Sequence, residues 1–96
     1  QLIPSKVTIY QNYPNPFNPI TSLRYDLPKD GLVNITIYDM NGRIVKTLTN
    51  SSQRAGYKSV QWNATNDLAQ SVSAGLYIYR IQVGEFSETK KMVLVK

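Results

Sequence analysis

The 96-residue sequence contains no cysteine and no histidine. Without cysteine there is no disulfide, no thiolate nucleophile and no Cys-based metal site. Without histidine the commonest general base and metal ligand are both missing. Acid is scarce too: Asp and Glu number 6 against 11 Lys and Arg, giving a net charge of +5. Glycoside hydrolysis needs two carboxylates about 5–10 Å apart in a cleft. Here Asp26, Asp30, Asp39, Asp67, Glu85 and Glu88 fall at strand ends or exposed positions, and only Asp26 and Asp30 flank a common turn. No apolar run approaches the ~20 residues of a membrane span, and no signal peptide is present. The sequence therefore reads as non-catalytic, with no cofactor, no metal and no membrane span.

The cations are scattered, and only Lys90 and Lys91 are adjacent. A nucleic-acid binder gathers its cations on one face and interleaves aromatics with them, so no nucleic-acid partner is expected. A basic surface of this kind does suit an acidic polysaccharide or lipopolysaccharide. The sequence opens on Gln1 and not Met, which reads as a fragment or a processed remnant.

What is present favours strands. Seven Tyr stand beside many Val, Ile and Thr, the residue types that suit a pleated, half-buried surface. Residues 1–6 read as a linker remnant and 7–96 as one domain. Strands are expected at Val7–Gln11, Ile20–Leu27, Leu32–Asp39, Arg43–Asn50, Tyr57–Asn63, Leu76–Val83 and Phe86–Lys96. Alternation predicts a core of Leu23, Tyr25, Val33, Ile35, Ile37, Val60, Trp62, Tyr77, Tyr79, Ile81 and Val93. Trp62, Tyr57, Tyr38 and Tyr13 could make a sugar-stacking platform, but Trp62 shares parity with Val60, which favours a core indole. About seven strands with turn signals every 8–12 residues is the pattern of an all-β, immunoglobulin-like antiparallel β-sandwich.

Turn chemistry punctuates the strands. Asn12, Tyr13, Pro14, Asn15, Pro16, Phe17, Asn18 and Pro19 cannot lie in a sheet interior, because proline lacks the ladder donor. They read as an ordered crossing pinned by Tyr13 and Phe17. Asn41 and Gly42 are expected at the centre of a two-residue type I′ hairpin turn. Asp39-Met40-Asn41-Gly42 resembles the opening of a calcium loop, but the later ligands are missing. Tyr77 or Tyr79 could bond its hydroxyl to backbone as a tyrosine corner. Phe86–Lys96 carries apolar residues on both parities, so burial on both faces is expected. A strand near a sheet edge also offers free backbone groups to a partner.

Four stretches in order carry a resemblance: Tyr10–Pro19, Ile37–Arg43, Ala74–Arg80 (with Gly75, Tyr77 and Tyr79) and Thr89–Lys96. Together they resemble the type A C-terminal sorting domain of the type IX (Por) secretion system, and they are similar to the immunoglobulin-like domain of flagellar hook-capping proteins. The resemblance implies a C-terminal signal that takes an upstream cargo domain, an enzyme or adhesin, through the periplasm and across the outer membrane of a Gram-negative bacterium. It implies the type IX machinery and a surface-processing protease as partners, with attachment to anionic lipopolysaccharide a further possibility, and a secreted or cell-surface destination. The residues expected to meet the machinery are Lys90, Lys91, Met92, Val93, Leu94, Val95 and Lys96. A last strand that runs to the end of the chain suits a signal read there. A structural immunoglobulin-like module and a carbohydrate-binding module are the competing readings.

Overall fold

A computed structural model describes residues 3–96. Gln1 and Leu2 of the expected linker lie outside the described residues; Pro4 is buried. The strands are β1 (Thr8–Ile9), β2 (Thr21–Leu27), β3 (Gly31–Tyr38), β4 (Ile44–Gln53), β5 (Gly56–Trp62), β6 (Gly75–Val83) and β7 (Phe86–Leu94). No helix is found among the described residues. A three-stranded sheet, β1-β2-β5, faces a four-stranded sheet, β4-β3-β6-β7, and all strand pairs are antiparallel. The architecture is the expected all-β sandwich.

Alternation places the core between the sheets. Leu23, Tyr25 and Leu27 of β2 meet Val33, Ile35 and Ile37 of β3 and Tyr77, Tyr79 and Ile81 of β6, all buried. Trp62 is fully buried, its ring 5.7 Å from Phe17 and 5.4 Å from Tyr77. Its indole N–H donates to the Thr65 carbonyl at 2.9 Å, which satisfies the one polar atom of a core Trp.

Two core expectations need correction. Val60 is only half-buried at the margin of the core. Val93 is half-buried, while its neighbours Met92 and Leu94 are buried. In the β6–β7 register Met92 faces Tyr77 and Leu94 faces Gly75. The opposite parity, Lys91, Val93 and Val95, therefore points away from the core. One face of the strand is buried and not both, and β7 stops at Leu94, short of Lys96.

The β3–β4 connection also differs from expectation. Gly42 N–H donates to the Asp39 carbonyl at 3.0 Å, so the turn centres on Met40 and Asn41. Only Gly42 has positive φ, at 84°. This is a three-residue loop closed by a glycine bulge, in which Asn41 keeps an ordinary negative φ. The Asp39 carboxylate stabilises it by accepting the Asn41 and Arg43 amides, at 2.9 and 3.0 Å. Those bonds, led by that from Arg43, hold the Asp39 carboxyl below its ordinary value. Further along, the β3–β4 ladder skips Leu48 and Val45, and both extra residues pack against the core.

Candidate functional site

The family-like stretches at the two ends of the sequence meet. The prolyl segment joins β1 to β2, yet its far end lies on β7 of the other sheet. Tyr13 exchanges both backbone hydrogen bonds with Ser22, at 3.0 and 2.9 Å. Beyond it, Phe17 N–H donates to the Val93 carbonyl and Val95 N–H donates to the Phe17 carbonyl, each at 2.9 Å. Phe17 and Leu94 thus form a parallel bridge. Asn15 Oδ1 accepts the Val93 amide at 2.9 Å. Gln11 Nε2 donates to the Lys91 carbonyl at 2.7 Å. The edge of β7 from Lys91 to Val95 is consequently occupied from within the chain. This corrects the expectation that its backbone groups are free for a partner.

Side chains hold the crossing in place. Phe17, 1% exposed, reaches the core beside Trp62, whereas Tyr13 is 76% exposed and pins nothing. Asn12 is buried; its Nδ2 donates to Thr21 Oγ1 at 3.0 Å and to the Pro14 carbonyl at 3.2 Å. Thr21 Oγ1 donates to the same carbonyl at 2.8 Å. The Tyr79 hydroxyl donates to the Tyr10 carbonyl at 2.9 Å and accepts the Asn12 amide at 3.0 Å. Burial pushes this hydroxyl up to about 12. Tyr77 makes the shorter corner, donating to the Ser73 carbonyl at 2.6 Å. Both tyrosines bond backbone, where only one was expected. The Tyr13-Pro14, Asn15-Pro16 and Asn18-Pro19 peptide bonds are cis.

Of the residues expected to meet a partner, Met92 and Leu94 are core and cannot be touched in the folded domain. Lys90 pairs with Glu88 at 3.1 Å. Lys91, Val95 and Lys96 are exposed, and Val93 is half-exposed. Pro14, Asn15, Pro16, Asn18 and Pro19 are exposed beside them, while Asn41 and Gly42 form the separate β3–β4 loop and Gly75 opens β6. Gln11 and Thr21 were not legible as part of this arrangement. Their sequence signal is only that each is a polar residue within two positions of the Asn/Pro run.

Other parts of the surface stand apart from this junction. A cleft of about 610 Å³ at one end of the sandwich is lined by Leu27, Lys29, Leu32, Arg80 and Val83 among others. Asn66 Oδ1 accepts the Leu68 and Gln70 amides, and Asp67 Oδ1 accepts the Thr47 amide, so these loop oxygens serve the backbone.

Comparison with known proteins adds to the geometry. The fold is similar to dimeric latent PorU from Porphyromonas gingivalis, with a TM-score of 0.75 and 23% identity over 98% of this chain and 10% of that one. It is similar to PorZ, a bacterial surface component of the type IX secretion system of the same organism, with a TM-score of 0.62 and 19% identity over 92% of this chain and 11% of that one. FlgD from Pseudomonas aeruginosa also resembles it, with a TM-score of 0.60 and 19% identity over 97% and 74% of the two chains. The chain thus spans about a tenth of the length of PorU and PorZ. No curated protein matches the chain. The profile of one family, described as the secretion system C-terminal sorting domain, matches residues 11–96. That match takes in the prolyl segment, both tyrosine corners and the whole of β7, and by it the chain belongs to the secretion system C-terminal sorting domain family.

Proposed function

We propose that this domain is a non-catalytic address that directs a larger exported protein through the type IX outer-membrane translocon to the cell surface. The observation that carries the reading is the family match across residues 11–96. The exposed residues of the address are Lys91, Val95 and Lys96, with Lys90 and Val93 half-exposed beside them and Met92 and Leu94 acting as the anchors that hold them in place. A surface protease would remove the domain after export, and anionic lipopolysaccharide would be a compatible neighbour for its net positive charge.

The test is a fusion of the domain to a periplasmic reporter in a bacterium with a type IX system. The intact domain should bring the reporter to the surface. A variant lacking Val95 and Lys96 loses one edge hydrogen bond, about 1 kcal/mol, and should remain folded while its reporter accumulates in the periplasm. A reporter that stays in the periplasm with the intact domain would defeat the proposal.

The fold likeness to FlgD supports a second reading, a structural module within a larger assembly. Under it, the intact fusion gives no surface delivery. The carbohydrate-binding reading loses Trp62, which has no exposed face, and is left with Tyr13 and Tyr57 as its well-exposed aromatics.

A further inference from the structure

The C-terminal part of β7 is not a free tail but one half of a docked pair. Its Val93 and Val95 amides and its Lys91 and Val93 carbonyls are all bonded to residues 11–17. Asn15 and Val93 are 78 residues apart in sequence. The surface they make together exists only once the chain has folded, because Phe17 and Leu94 are both sunk in the core beneath it.

The chemistry of this surface is uniform. Residues 10–20 and 89–96 contain no Asp or Glu, whereas Lys90, Lys91 and Lys96 lie in the second segment. Lys90 is paired with Glu88, and Lys91 and Lys96 form no ion pair among the described residues. Exposed apolar groups accompany them: Tyr13 at 76%, Ile20 at 46% and Val95 at 43%, with Pro14, Pro16 and Pro19 between.

Resting on the sorting reading above, we propose that the export machinery reads a composite surface, the prolyl segment and the end of β7 together, and that its receptor presents an acidic, partly apolar protein face. An address built this way is displayed only by a folded domain. Recognition and folding are then coupled without any separate sensor, since a partner that touches both segments binds only the docked state.

The experiment compares substitutions in the reporter fusion. Asn18→Glu and Tyr13→Ala alter the prolyl segment without touching β7; Lys96→Glu alters the tail; Ser59→Glu on β5 is the remote control. Circular dichroism and Trp62 fluorescence establish that each variant is folded. Delivery should fall at least tenfold for Lys96→Glu and for at least one prolyl variant, and stay within twofold for Ser59→Glu. If both folded prolyl variants deliver normally while Lys96→Glu fails, the tail alone is the address and the composite is wrong. If Ser59→Glu falls as far as the others, the surface is not localised and the inference is also wrong. Failure of the unmodified fusion would instead remove the sorting reading on which it rests.

Discussion

Two irregular crossings cover part of the two outer edges of the four-stranded sheet, and they do it by different means. The prolyl segment covers β7, and the segment between β5 and β6 covers β4. The first uses the Phe17 main chain with the Gln11 and Asn15 side chains, and it sinks Phe17 into the core. The second uses one residue: Asp67 N–H donates to the Val45 carbonyl at 3.1 Å and Asp67 Oδ1 accepts the Thr47 amide at 3.0 Å. Its large apolar residue, Leu68, is 77% exposed. Its backbone also carries two non-glycine residues at positive φ, Ala64 at 62° and Ala69 at 63°. An exposed strand edge invites pairing with another chain. The same hazard is met once with a large aromatic sunk in the core and once with a polar cap beside the small anchors Ala64 and Val72.

The largest expected effect separates the two anchors. Phe17→Ala should destabilise the domain by about 3–5 kcal/mol, as for other buried aromatics, whereas Leu68→Ala should stay within about 0.5 kcal/mol. Equilibrium denaturation of both variants measures this. A loss below about 1 kcal/mol for Phe17→Ala would show that the prolyl segment is held by its hydrogen bonds alone.

Next comes the hydroxyl that ties the prolyl segment to the core. Tyr79→Phe leaves the Asn12 amide and Tyr10 carbonyl without their partner and should cost about 1–3 kcal/mol. The Tyr79 hydroxyl, pushed up to about 12 by burial, also gives a pH signature. An unfolded Tyr ionises near 10, so this contribution is complete below about pH 10 and is lost as pH rises towards 12. Stability measured across that window should fall less steeply in Tyr79→Phe than in the parent. Some slope should remain, because burial also raises Tyr25 and Tyr77.

The smallest effects belong to the other crossing. Asp67→Ala removes the acceptor of one exposed amide and should cost about 1 kcal/mol. Ala69→Gly relieves a left-handed Ala at an exposed site, and thermal melts should show a gain of about 0.5–1 kcal/mol.

The contrast also explains what the sequence discloses. Prolines between two aromatics announce an ordered crossing, and Phe17 could be read as its pin. Where that crossing docks could not be read, because the acceptor is backbone of Val93, and backbone carries no sequence signature. The segment from Asn63 to Ala74 is small and polar apart from Leu68 and Val72, and its positive-φ positions are alanines with no glycine to mark them. Apolar residues on both parities hide which face of β7 is buried; only the register against Tyr77 decides for Met92 and Leu94. The β3–β4 turn moved by one residue for a similar reason. Asp39 can cap its own loop through side-chain oxygens, and that favours the three-residue form over the two-residue one that Asn-Gly suggests.

The parallel pairing of Phe17 with Leu94 has a mechanical side. When the chain before Phe17 is pulled and the chain after Leu94 is held, the two segments slide along one another, and the bonds between them share the load and yield together. The antiparallel β6–β7 hairpin, joined through Gly84 and Glu85, instead opens bond by bond when its free ends are drawn apart. Tension between the N-terminal side of the domain and the end of β7 therefore meets the stiffer of the two geometries.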